Sequence, residues 1–299
     1  MSGPGESSPG AAFSLVLGGG GTAAVGWELG VLRGLAAAGL DLARADAIVG
    51  TSAGAVVGCR LTAGACIDVE SWAEAARNQR PVDVDFPALM RRLADLGSGA
   101  ADPRSARRRI GEWALAAATG SGRERLAEIA SLIGRTEWPD ADLTVTAVDA
   151  WSGDLVTFTR HTGVPLVAAV AASCAVPGVW PPVQIRDRFF IDGAVRSAVN
   201  ASVAAGSRAM LVLAPQAGPG GLDRELGRLS VDTHVEAMTP DDDSLRAFGS
   251  NPLDPATGPA SAAAGLRQGR AAADVVARLL GQWPAGAVPG AEDRMEQAP

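Results

Sequence analysis

The sequence predicts an α/β layered fold with parallel strands, on three observations. A buried-strand pattern, Phe13-Ser14-Leu15-Val16-Leu17, runs into four glycines, Gly18 to Gly21, and then into helical spacing from Gly26 to Ala38, closed by Gly39. A second apolar stretch, Ala47-Ile48-Val49, runs into Gly50-Thr51-Ser52-Ala53-Gly54 and again into a helical pattern, Ala53 to Ala65. That order of strand, loop, helix, strand, turn and helix implies right-handed crossovers between parallel neighbours, with both loops opening at the carboxyl ends of adjacent strands.

The remaining elements follow along the chain. From Asp68 to Ile133 the pattern is helical and charge-rich, and the arginines at 104, 107, 108 and 109 read first as a solvated helix face. Leu143 to Ala150 and Leu155 to Arg160 alternate like strands around Trp151-Ser152-Gly153-Asp154, which predicts a hairpin. Pro165 to Cys174 is a short Ala-rich helix. Arg188 to Asp192 and Ala209 to Ala214 are buried strands, and Arg196 to Ala205 reads as the start of a helix. Beyond Pro215 regularity fades until a last long helix, Ser261 to Leu280. The expected organisation is one domain over residues 13–281 with a helical insertion at about 68–140, a flexible lead-in at 1–12 and a loose tail at 282–299.

Composition narrows the function classes. A net charge of -7 argues against a nucleic-acid partner, and the 26 basic residues are all Arg, which reads first as compositional bias. Two histidines and no C-x-x-C leave no usual zinc site, so neither a metal nor another cofactor is expected. Cys59, Cys66 and Cys174 read as buried thiols of a reducing compartment. MSGPGESSPG lacks a basic n-region and an apolar core, and the uncharged stretch 164–185 is interrupted by Pro165, Pro177, Pro181 and Pro182. The expectation is therefore a cytoplasmic protein with no transmembrane segment.

The chemistry concentrates at Ser52. A serine between Gly50 and Gly54, after a strand and before a helix, has the spacing of a nucleophile elbow, and the helix N-terminus beside it favours a developing anion. Gly18 to Gly21, after the neighbouring strand, offer backbone N–H groups unscreened by side chains for the oxyanion. The same run with Thr22-Ala23 fits G-x-G-x-x-A, a dinucleotide-binding pattern, although no acid closes the second strand. Two bases are open. Ser52, Asp192 and His234 stand in the chain order of a triad esterase; alternatively Asp192, ending a buried strand in the sequence's only Asp-Gly, serves directly.

Taken together, LVLGGGG, GTSAG, ASCAVPGVWPPV and FIDGA resemble the patatin-like phospholipase family in order and spacing over about residues 13–215. The resemblance implies a three-layer α/β/α domain with a mainly parallel central sheet, acting on acyl esters of lipids with a Ser-Asp dyad. It assigns Ser52 as nucleophile and Asp192 as base, with Gly50, Gly54, Gly193 and Ala194 shaping the two motifs. Backbone amides of Gly18, Gly19, Gly20, Gly21 and Ala53 would form the oxyanion hole. Members commonly carry a basic residue just after the glycine run; here Thr22-Ala23-Ala24-Val25-Gly26 follows instead. The implied partners are a lipid or acyl-ester substrate and a transient membrane or micelle contact. Trp72, Trp113 and Trp138 in the helical segment read as core packing, or together as cover for an acyl pocket, and Val179-Trp180-Pro181-Pro182 has contact with a lipid interface as its secondary reading.

Overall fold

The computed structural model describes residues 11–63, 68–216, 220–229 and 231–281. Cys66 and the tail from 282 lie outside the described residues. Strand β1 (Phe13–Leu17) is buried throughout, and helix α1 (Gly21–Ala37) begins inside the glycine run, five residues before the predicted start. Glycine lowers helix propensity, yet here Gly20 and Gly21 adopt φ of 155° and 70°, which a side chain disfavours, and turn the chain directly into the helix. Strand β2 (Ala47–Thr51) leads through Ser52 into α2 (Ala53–Leu61).

The charge-rich segment folds as four helices: α3 (Val69–Arg77), α4 (Phe86–Gly97), α5 (Pro103–Ala116) and α6 (Gly122–Ile133). Each starts on a side-chain cap. Asp68, Asp85, Asp102 and Ser121 accept from first-turn amides that would otherwise lack partners. The predicted hairpin is β3 (Leu143–Asp149) and β4 (Leu155–Phe158), followed by α7 (Leu166–Ser173). A three-residue strand, β5 (Val183–Ile185), precedes β6 (Arg188–Asp192) and was too short to leave a periodic signal. The helix expected over 196–205 is only a 3-10 turn at Ala201–Ala204, because Asn200 sits at φ 52° and breaks the run. Then come β7 (Ala209–Leu213), α8 (Gly221–Leu226), β8 (His234–Met238), α9 (Asp242–Phe248) and α10 (Gly258–Gly281).

The sheet runs β5-β6-β3-β2-β1-β7-β8, with β4 also paired to β3. β3, β2, β1, β7 and β8 are mutually parallel, and β4, β5 and β6 supply the antiparallel pairings. Alternation splits the core. Phe13, Leu15 and Leu17 of β1 point into the larger cluster with α1, α2 and α7, while Val16 joins Val49, Met210 and Val212 beneath the 3-10 turn and α8. Helices α1 and α10 pack backbone to backbone. A Cβ at Gly30 would lie 2.2 Å from the Ala262 carbonyl oxygen, and one at Gly265 would lie 2.1 Å from that of Trp27.

The sheet register brings distant residues together. Thr51 of β2 is level with Thr146 of β3, and Asp192 of β6 with Ala147. β4 pairs with residues 145–148 of β3, so β2 and β6 must share the opposite edge of that strand. β2 runs parallel to β3 and β6 antiparallel to it, so their carboxyl ends meet head-on.

Candidate active site

At that meeting point the Ser52 hydroxyl donates to Asp192 Oδ2 at 2.7 Å. Both side chains are buried, at 5% and 3% exposure. Ser52 holds φ 53° and ψ -113°, outside the regions an ordinary side chain prefers, so its neighbours must fix it. Its amide donates to Ser173 Oγ at 2.8 Å, and the Cys174 thiol donates to its carbonyl at 3.4 Å. Gly54 allows α2 to pass β1; a Cβ there would stand 2.1 Å from the Leu17 carbonyl oxygen.

Asp192 Oδ1 accepts the Ala194 amide at 2.8 Å, which aims Oδ2 at the serine. Burial pushes this carboxyl up from its ordinary 3.8 to about 7, against the hydrogen bonds from Ser52 and Ala194 and the nearby Arg125 charge, which all pull it down. An aspartate so perturbed exchanges protons near neutrality, which an ordinary one does not.

A buried polar cluster ties the two strand ends. Thr51 and Thr146 hydroxyls are 2.8 Å apart, and the Asn200 side-chain amide donates to Thr51 Oγ1 at 3.1 Å and to the Gly193 carbonyl at 3.2 Å. Asn200 thus bridges the residue before the serine and the residue after the aspartate.

Of the five amides expected around an oxyanion, two face elsewhere. The Gly18 amide donates to Glu28 Oε1 at 2.8 Å and the Gly19 amide to the Ala198 carbonyl at 2.7 Å. Glu28 is wholly buried, and burial holds it well above the usual carboxylate range despite its bond from Gly18. Gly20, Gly21 and Ala53 head α1 and α2, where first-turn N–H groups have no acceptor within the helix.

Two cavities border Ser52. The inner one, named for its place on the Ala53 and Val56 side of the serine, is 380 Å³ in volume; it is lined by Val25, Val56, Trp72, Ile129 and Leu132, by Arg125, and by Arg80, Pro81 and Asp83, which are exposed at its rim. The buried Arg125 guanidinium stacks 3.9 Å from the Trp180 ring centre and pairs with Glu128 at 3.1 Å. Trp180 is half-buried, with its ring stacked on that arginine, and it lines the same cavity. An outer cavity of 530 Å³ is walled by Phe86, Met90 and Leu93 of α4 and Leu245 and Phe248 of α9. Trp72 lines the inner cavity. Trp113 packs against Gly178, and Trp138 donates its indole N–H to the Val164 carbonyl.

Neither histidine reaches this site. His234 begins β8 level with Ala209, at the amino ends of the parallel strands, about 16 Å of strand away from the end that carries Ser52. His161 follows β4, which runs toward that same amino end. The triad order in the sequence is not matched in space. Cys59 and Cys174 are buried thiols pushed up to about 12, chiefly by burial. Among the described residues there is no acidic, histidine or cysteine cluster fit for a metal, and no helix long and apolar enough to cross a membrane.

Sequence reasoning missed Ser173, Asn200, Glu28 and Arg125. Ser173 and Cys174 lie in the quoted ASCAVPG stretch, but nothing in it says which backbone they hold. Arg125 sits in the alternating Arg-Glu run 123–125, indistinguishable by pattern from a solvated face.

Comparison with known proteins identifies a family for the chain. The model of the patatin-like phospholipase family matches residues 15–205. An uncharacterized NTE family protein of Mycobacterium bovis, and likewise its counterparts in two strains of Mycobacterium tuberculosis, is 30% identical over 210 residues, or 70% of this chain. The chain spans about half the length of these relatives, since the match covers 49% of each. Among solved structures, VipD from Legionella pneumophila aligns at 12% identity and a TM-score of 0.42, over 90% of this chain and 67% of that one. The type III effector ExoU aligns at 15% and 0.37, over 88% of this chain and 54% of that one. The chain belongs to the patatin-like phospholipase family, a family of lipid hydrolases.

Proposed function

We propose that the protein is a serine acyl hydrolase working through a Ser52–Asp192 dyad on carboxylic esters of lipids. The observation that carries this reading is the 2.7 Å bond between the two side chains at the junction of β2 and β6. Ionised Asp192 takes the hydroxyl proton as Ser52 Oγ attacks the ester carbonyl carbon. The oxyanion then faces the backbone amides of Gly20, Gly21 and Ala53, at the positive ends of α1 and α2. As the carbon–oxygen bond to the alcohol breaks, Asp192 returns the proton to the leaving oxygen. Water, deprotonated by the same carboxylate, cleaves the acyl-enzyme and restores Ser52.

Hydrolysis of p-nitrophenyl esters by wild type and by Ser52→Ala, Asp192→Ala and His234→Ala tests the reading, with folding followed by circular dichroism. Loss of at least about 10³-fold in the first two variants and retention in the third is the expected result. Full activity in Ser52→Ala refutes the nucleophile, and inactivity of His234→Ala refutes the dyad.

A further inference from the structure

The two cavities meet at Ser52, and the catalytic pair divides them. Ser52, Gly21, Val176 and Leu253 border both. Ala53, Val56 and Cys174 border only the inner one, whereas Asp192, Ala194 and Val195 border only the outer one. This asymmetry has a chemical consequence. A tetrahedral intermediate on Ser52 carries four groups: the serine oxygen, the oxyanion, the leaving oxygen and the acyl chain. The oxyanion must face the helix-end amides, and the leaving oxygen must lie within reach of the proton that Asp192 has just accepted. The acyl chain takes the remaining direction.

Resting on the hydrolase reading above, the geometry points to the acyl chain lying in the inner cavity and the leaving alcohol in the outer one. We propose further that this alcohol is uncharged and apolar, so that the substrates are neutral esters with hydrocarbon on both sides of the scissile bond. Apart from Asp192 itself, no charged residue lines the outer cavity among the described residues. A phosphate on the leaving group would find no guanidinium there and would stand on the side of a carboxylate. The other charged lining residues are on the inner side, where Arg80 and Arg125 are matched in number by Asp83 and Glu128. The outer mouth is itself apolar. Met90 and Leu245, 45% and 52% exposed, are two of the large hydrophobic side chains this protein leaves in solvent, and both belong to that cavity. They suit a hydrocarbon entering from a micelle or membrane.

In the proposed step Ser52 Oγ forms its bond to the carbonyl carbon and the carbon–alkoxy bond breaks. The hydroxyl proton passes by way of Asp192 Oδ2 to the alkoxy oxygen, and the neutral alcohol leaves through the outer mouth.

The test uses the full chain and octanoyl esters in mixed micelles of one non-ionic detergent. The alcohols are methanol, butanol, octanol and glycerol 3-phosphate. The expected result is a rise of about tenfold in kcat/KM from methyl to octyl, with the glycerol-phosphate ester slower than the octyl ester by a similar factor. Leu93→Trp, and as a more exposed alternative Met90→Trp, should pull the octyl-to-methyl ratio toward one. Leu132→Trp, on the inner side, should instead shift preference toward shorter acyl chains among methyl esters. If the α4 variants alter acyl preference and leave alcohol preference alone, the two arms are reversed and the inference is overturned. A glycerol-phosphate ester that outruns the octyl ester overturns the apolar leaving group. Hydrolysis that depends on Ser52 but not on the alcohol removes this inference while leaving the dyad standing; a wild type no faster than Ser52→Ala on every ester removes both.

Discussion

Replacing Asp192 by Asn should make the protein more stable relative to wild type as the pH rises, and the size of the change follows from its burial. In the unfolded chain this carboxyl titrates near its ordinary 3.8, and in the folded protein near 7. Between those values the folded state holds a proton that the unfolded state has released. Stability therefore falls with pH by about 1.4 kcal/mol per pH unit across that window and levels off above 7. The full difference is roughly 4 kcal/mol, of which about 3 kcal/mol accrues between pH 5 and pH 8. Asn keeps the shape without titrating: its oxygen can accept from Ala194 and its amide can donate to Ser52. Glu28 and every other titrating group are common to both proteins and cancel in the difference. Urea unfolding of the pair at pH 5 and pH 8 reads the effect. With a slope near ~3 kcal/mol/M for a chain of this size, the gap between midpoints should move by about 1 M in favour of the variant. A gap that stays constant within about 0.5 kcal/mol, or moves the other way, refutes the claim that burial raises the Asp192 carboxyl toward neutrality.

Because only the ionised carboxylate can accept the serine proton, kcat/KM should fall with unit slope below a midpoint near 7. Arg125→Met should raise that midpoint, since it removes a nearby positive charge; a profile flat from pH 5 to 8 would contradict both statements. Gly54→Ala drives a methyl group against the Leu17 carbonyl and should cost about 3 kcal/mol or more, seen as a Tm lower by roughly 8 °C. Asn200→Ala should lower kcat at least about tenfold with little change in KM, because it frees the serine and aspartate strand ends from each other; an equal rise in KM would argue for a binding role instead.

The parts of this fold that announce themselves in sequence are those dictated by neighbours along the chain. β1, β2, the β3–β4 hairpin, β6 and β7 are apolar or alternating runs closed by glycine or turn residues, and Ser52 and Asp192 stand out because glycine flanks both. The start of α1 is misread because propensity penalises glycine, whereas the fold uses Gly20 and Gly21 for their backbone angles. That Asp192 rather than His234 faces the serine is decided by register. Asp192 lies 140 positions from Ser52 in sequence, and only the shared edge of β3 brings their strands end to end. No local pattern encodes that edge. Arg125 is hidden for a different reason: Glu128 pairs with it from the next turn of the same helix, but its burial depends on Trp180 arriving from elsewhere. The engagement of the Gly18 and Gly19 amides is invisible for the same cause, since their acceptors are Glu28 and Ala198.

The family match ends at residue 205, but the architecture that supports the candidate site does not. Helix α10, at residues 258–281, lies so close to α1 that carbonyl oxygens stand where side chains would begin, and Trp27 donates its indole N–H across to Gln268. Helix α1 in turn carries Gly21 at its tip and Glu28, which anchors Gly18. The glycine loop and the serine elbow are therefore not a portable cassette. A chain cut at the family boundary would keep Ser52 and Asp192 and lose the brace behind the glycine loop, so transplants and truncations of this protein have to be planned around the last helix rather than the last motif.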